Sequence, residues 1–140
     1  MPHRPADVGL AVKRLQHRHH RTMSHALAPL GLSLVQWDTL RHLARNPDAS
    51  LHDLAVLTFQ TDQSFGSLAT RMADRGLIER IPGPGRPVRH RLTAEGERLL
   101  AAGQDLADGV LDTSFRNLSA AQLDQLGDLL ALALGADPTA

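Results

Sequence analysis

Apolar positions recur with helical spacing along most of this chain and give way to short β-prone runs only between residues 77 and 92. Leu10, Ala11, Leu15, Met23, Ala26 and Leu27 recur unevenly around a polar band. They predict a first helix, capped by Asp7, running to about Ala28 and ended by Pro29 and Gly31. Leu34, Trp37, Leu40 and Leu43 follow at i, i+3, i+6 and i+9 and predict a second helix with a buried stripe. Ser33 and Gln36 have the capping-box form, in which each side chain satisfies the other's free backbone N–H, and Asn46-Pro47 stops the helix. Ser50 and Asp53 repeat that form and open a short third helix carrying Leu51, Leu54, Ala55 and Leu57.

A fourth helix, capped by Thr61 or Asp62 and closed by Gly76, turns Phe65, Leu68 and Met72 to the core. Its other face carries Gln63, Ser64, Ser67, Thr70, Arg71 and Asp74: short hydrogen-bonding side chains first, a guanidinium further on. The runs Leu77–Ile81 and Val88–Leu92 flank a turn dense in Pro and Gly, so they pair antiparallel. Thr93 caps a fifth helix with Leu99, Leu100, Leu106, Val110, Leu111 and Phe115 as its apolar positions and Gly103 or Gly109 as a place to bend. Ser119 and Gln122 form a third capping box, opening a last helix with Leu123, Leu126, Leu129, Leu130, Leu132 and Leu134. That helix is apolar on more than one side and calls for a second partner, either the first helix or another subunit.

The expected fold class is therefore mainly α with a small β-hairpin wing. A helix-turn-helix followed by a basic hairpin is the layout of a winged helix, which places one helix in the DNA major groove and a hairpin beside it. Residues 33–92 are expected to form the winged helix-turn-helix lobe, flanked by the helical segments 1–32 and 93–140.

Charge sharpens this picture. The 140 residues carry no net charge, a mild argument against a nucleic-acid partner, but the distribution is uneven. Arg71 to Arg91 holds six Arg against Asp74 and Glu79, a net of +4, whereas Glu95 to the end holds eight acids against Arg98 and Arg116, a net of −6. An anion-facing patch and a separate acidic element follow, the plainer reading being a solvated basic face. The chain has no cysteine, so disulfides, thiolate metal sites and thiol redox sensing are excluded, in keeping with a cytoplasmic location. No apolar run approaches a membrane span and no signal-peptide core is present.

With these residues placed, the chain resembles the multiple antibiotic resistance regulator (MarR) family of bacterial transcription factors over nearly its whole length. Arg71 to Arg80, Arg-Met-Ala-Asp-Arg-Gly-Leu-Ile-Glu-Arg, leading to Leu92-Thr-Ala-Glu-Gly96, carries the resemblance. It implies a homodimer built from the first, fifth and sixth helices, most often a repressor, on a roughly palindromic double-stranded operator. By position, Gln63, Ser64 and Ser67 would face bases, Arg71 a phosphate and Arg86 the minor groove; Ser50, Thr61, Asp62, Gly66, Thr70 and Arg89 complete the expected DNA surface. Two departures stand out. Family wings usually carry Asp-x-Arg, but here Pro84 stands in place of that Asp and the loop is shorter, so Arg89 could share or take the role of Arg86. Ser67 lies where many members have a long basic residue. Gly66 inside a helix should cost roughly 1 kcal/mol against Ala, which either close approach to a base or simple tolerance would explain.

Of the eight histidines, His17, His19 and His20 cluster on the first helix, with His25 beyond. Solvated or interface positions, the lining of a small-molecule pocket, and metal or haem ligation are the three readings, and no neighbouring thiol or carboxylate completes a metal set. The resemblance implies an effector pocket between the dimer helices and the DNA lobe, near His17, His20, Trp37 and His42. His52, like His42, reads as a local packing or capping residue. No cofactor, metal or catalytic constellation is expected: Gly83-Pro-Gly85 lacks the length and following Lys of a phosphate loop, and no Ser lies in a nucleophile elbow. The alternative is a winged helix that dimerises and uses its hairpin on a protein partner, favoured by zero net charge and the altered wing.

Overall fold

A computed structural model of the chain describes residues 2–83, 85 and 88–135. The elements follow in the order α1 (Pro5–Leu27), a 3-10 turn (Ala28–Leu30), α2 (Leu34–Arg45), α3 (Leu51–Leu57), α4 (Asp62–Asp74), β1 (Ile78–Ile81), β2 (Arg89–Leu92), α5 (Ala94–Ser114) and α6 (Ala120–Leu134). This is the mainly helical winged-helix architecture with its two-stranded hairpin.

Helix starts are set by local chemistry. Ser33, Ser50 and Ser119 each form the reciprocal capping box read in the sequence. Thr61 is the cap of α4, its Oγ1 accepting from Ser64 N–H at 3.1 Å, which leaves Asp62 as the first residue inside the helix. The first helix departs from expectation. It begins at Pro5, not at a cap on Asp7, because proline's fixed φ and missing N–H suit the first helical position. Asp7 sits within the first turn and accepts from the Arg4 guanidinium at 3.0 and 3.2 Å.

Two of the helix ends are set by left-handed glycines. Gly31 (φ +70°) closes the turn after α1, and Gly76 (φ +73°) follows α4, where the next N–H, of Leu77, reaches back to the Met72 carbonyl at 3.0 Å. The exception is Phe59 (φ +57°), which takes the left-handed turn between α3 and α4 where a glycine would be unstrained.

The hairpin pairs antiparallel, Ile78 with Leu92 through Ile81 with Arg89. Thr93 then joins hairpin to helix: its N–H donates to Leu77 O, its hydroxyl donates to Gly76 O at 2.6 Å, and its Oγ1 accepts from Gly96 N–H at 3.0 Å.

One core joins α1, α2, α3, α4, the hairpin and α5. Leu27, Leu40, Leu54, Phe65, Met72 and Leu77 are fully buried in it, and the stripe Trp37, Leu40 and Leu43 packs as the spacing required. The Trp37 Nε1–H donates to Leu100 O at 3.3 Å. That indole lies so close on α5 that a Cβ at Gly103 would collide with its Nε1 and Cδ1. Gly103 is thus a contact residue, and α5 runs unbroken through both Gly103 and Gly109. Helix α6 buries none of its residues in this chain: Leu129 and Leu132 stay 63% and 78% exposed.

Candidate nucleic-acid interface

The fourth helix lies with Phe65, Leu68, Ala69 and Met72 against the core, so its 3.6-residue period sends the intervening positions to solvent. Thr61, Asp62, Gln63, Ser64, Ser67, Thr70 and Arg71 are all exposed there, as the pattern predicted, and Gly66 is half-exposed beside them. Space around Gly66 is open, since a Cβ there would meet nothing within 4 Å; no contact within the chain requires glycine. Ser50, expected on the same surface, is half-buried and engaged in its capping box with Asp53.

The Arg cluster divides by what each guanidinium touches. Arg75 donates to Gly31 O at 2.7 Å and ties the end of α4 to the turn after α1. Arg91 pairs across the hairpin with Glu79 at 3.0 Å. Arg71 and Arg80 are exposed with no hydrogen-bonding partner among the described residues, and the Arg80 charge acts on His90 across the hairpin. Arg89 is half-buried, with its Nη1 shielded and unpartnered among the described residues, and its charge acts on Asp53 of α3. Arg86, with Pro84, lies outside the described residues.

Sequence reasoning missed one pair on this surface. His52 of α3 meets Asp62 of α4, Nδ1 to Oδ1, at 2.8 Å, with both side chains about 70% exposed (70% and 69%). That hydrogen bond, then the Asp62 charge, holds the His52 pKa above its ordinary value. His52 is therefore not a packing or capping residue. The signal available was the capping box at Ser50 and Asp53, which fixes the phase of His52 on α3.

On the opposite side of α2, a cavity of about 730 Å³ opens between α1, α2, α5 and α6. Its walls are mainly apolar (Leu15, Met23, Trp37, Ala107, Phe115 and Leu126 among them), with His19, His20, Asp38 and Arg41 as polar groups. Of the four residues expected there, His20 and Trp37 line it. His17 and His42 do not, and His19 does. His19 Nε2 lies 2.6 Å from Ser114 Oγ, and its ring meets Phe115 edge-on at 5.2 Å. Burial and then the neighbouring Arg18 lower its pKa. The same hydroxyl accepts from Arg18 Nη2 at 2.9 Å, so α1 and α5 are locked at this level. His42 lies 3.9 Å from Asp38, its pKa lowered first by burial. Arg41 donates to Asp38 at 3.1 Å and sits 5.5 Å from the centre of the Trp37 ring. Among the described residues no three His, Asp or Glu gather as a metal site, and no helix is long and apolar enough to cross a membrane.

Known proteins resemble the chain in sequence and fold. The MarR family model matches residues 30–86, which run from the turn after α1 into the wing. The transcriptional repressor IacR of Pseudomonas putida is 24% identical over 119 residues, 84% of this chain and 71% of that protein. The transcriptional repressor Rv2887 of Mycobacterium tuberculosis is 34% identical over 79 residues, 55% of this chain and 57% of its own length. Crystal structures of Rv2887 bound to DNA and to salicylic acid match with TM-scores of 0.78 and 0.77 at 25% identity. They cover 91% and 96% of this chain, and 97% and 98% of the other. The reduced form of Escherichia coli MarR, 20% identical, shares the fold with a TM-score of 0.82 over 96% of this chain and all of its own. Helix order, the hairpin behind α4, the family match and the repressor relatives agree: residues 30–86 match the MarR family, and the chain has the winged-helix fold of MarR proteins.

Proposed function

We propose that this protein is a sequence-specific DNA-binding transcriptional repressor, active in the cytoplasm as a homodimer on a pseudo-palindromic operator, with no catalytic activity. The observation that carries the reading is the solvent face of α4. Gln63, Ser64 and Ser67 present donors and acceptors of base-reading size, and Arg71 follows one turn on with an uncommitted guanidinium. The mycobacterial relative crystallised with DNA supports the same use of the fold. Residues 33–92 would form the DNA lobe. Residues 1–32 and 93–140 would form the dimerisation part, in which the exposed leucines of α6 meet their counterparts.

The cavity between α1, α2, α5 and α6 is the site we assign to an effector, and an aromatic carboxylic acid is the class that fits it. Trp37 and Phe115 give apolar walls and Arg41 gives a cation. The relative's complex with salicylic acid supports that class. Such a ligand would act by favouring a dimer whose two α4 helices are wrongly spaced for the operator, since only differential affinity can shift the equilibrium.

The test is selection of bound duplexes from a random pool by the purified protein, with Arg71→Ala beside it. An enriched inverted repeat with half-sites about one helical turn apart is expected. Arg71→Ala should bind it more weakly whatever the sequence, with a salt dependence shallower by about one phosphate contact per half-site. No enrichment at low salt from folded protein would end this reading. A Leu129→Glu, Leu132→Glu variant should sediment as a monomer and lose operator affinity; a dimer that survives would place the subunit contact elsewhere.

A further inference from the structure

We propose that Asp62, held in place by His52, is a base-reading residue of the α4 surface and selects cytosine. The inference rests on the DNA-binding reading above and deepens it.

The pair is not explained by stability. Both side chains are about 70% exposed (70% and 69%), and ion pairs so open to water contribute little to stability. Nor is Asp62 needed to start its helix, because Thr61 takes the cap. Asp62 therefore uses Oδ1 on His52 at 2.8 Å, while its Oδ2 has no hydrogen-bond partner among the described residues. That unused oxygen stands in the same exposed turn as Gln63 and Ser64, the residues assigned to bases.

An ionised carboxylate only accepts hydrogen bonds. In the major groove, cytosine offers its N4 amino group as a donor, whereas guanine offers acceptors and thymine an acceptor and a methyl. Adenine sets its donor beside the N7 acceptor, a pattern suited to an amide and not to a carboxylate. The chemistry of Oδ2 thus points to cytosine.

A bare carboxylate would be repelled by the phosphates, and here His52 answers that cost. The groups shown to act on His52 are Asp62 from α4 and, more weakly, Asp53 from its own helix, itself facing Arg89 of β2. Both acids favour the imidazolium. Protonated His52 and ionised Asp62 make a neutral unit with one free acceptor oxygen. Operator binding should then favour the protonated histidine, so affinity weakens as pH rises through its raised pKa.

The test repeats the duplex selection with Asp62→Ala, Asp62→Asn and His52→Gln, checking helix content of each by circular dichroism. Wild type should show one C·G pair per half-site whose preference drops about tenfold in Asp62→Ala. Asp62→Asn should move that position toward adenine. His52→Gln should keep the operator but flatten the pH dependence of affinity between about pH 6 and 8. A selective wild type whose preferences all survive Asp62→Ala overturns this proposal alone. A wild type that selects nothing removes the DNA reading and this proposal with it.

Discussion

At the scale of single residues, Phe59 is the position where sequence and backbone disagree. It adopts φ +57° in the turn before α4, and its ring is 80% exposed. A left-handed conformation costs an L-residue roughly 1–2 kcal/mol, and a ring in water returns little of it. Phe59→Gly is therefore expected to raise stability by about 1 kcal/mol, seen as a higher urea midpoint at unchanged slope. A lower midpoint would mean that the ring makes a contact in the folded assembly. The same scale shows what the sequence could and could not tell. The polar face of α4 was legible because one helix carries all of it and its phase follows from Phe65, Leu68 and Met72. The histidines of α1 were not. Two residues along a helix turn the side chain by about 200°, so a cluster at 17, 19 and 20 straddles the rod. Only packing against α5 selects His19, which lies against Ser114 and Phe115. Arg89 shows a related limit: its strand position fixes the face it points to, but not that its guanidinium is partly shielded.

At the scale of elements, starts and stops were written locally, and so they were readable. Three Ser capping boxes, the Thr93 cap and the glycine after α4 each depend on residues within five of one another. Contacts between elements are not local, and the two glycines of α5 show the difference. Both look like bend points in the sequence. Gly103 is buried under Trp37, which is 66 residues away, while a Cβ at Gly109 would meet nothing within 4 Å. Opposite outcomes are expected from the same substitution. Gly103→Ala should lose about 1–3 kcal/mol by forcing the indole aside. Gly109→Ala should gain about 1 kcal/mol from helix propensity. Denaturant titration of the two proteins checks both, and equal effects would refute the close approach of Trp37 to α5. The indole fluorescence should shift only in Gly103→Ala.

Across the whole molecule, ionisation should tie stability to pH. His90 is buried in β2, and burial followed by the nearby Arg80 lowers its pKa; His19 and His42 are lowered too, burial again coming first. The unfolded chain takes protons onto these side chains at about pH 6.5, while the folded chain resists until lower pH. The unfolded state then binds more protons in that window, so stability is full above about pH 6.5 and falls as acid is added. His52 has the reverse sign, because its raised pKa stabilises the folded state at low pH, but it is largely exposed and solvent screens it. Asp53 and Glu95, both lowered by hydrogen bonds, add to the loss only further down, as they approach protonation. The thermal midpoint should therefore drop between about pH 7.5 and 5.5, before any carboxylate titrates. His90→Gln, which cannot take up the proton, should shrink that drop. If it leaves the drop unchanged, the acid sensitivity sits with His19 or His42 and not in the wing. This matters for function, because the two places answer to different events. Loosening the hairpin detaches it from α4 and the DNA surface, whereas loosening His19 from Ser114 opens the wall of the cavity between α1 and α5. Comparing the pH dependence of stability with that of operator affinity separates them: the first should fall with acid while the second, through His52 and Asp62, rises.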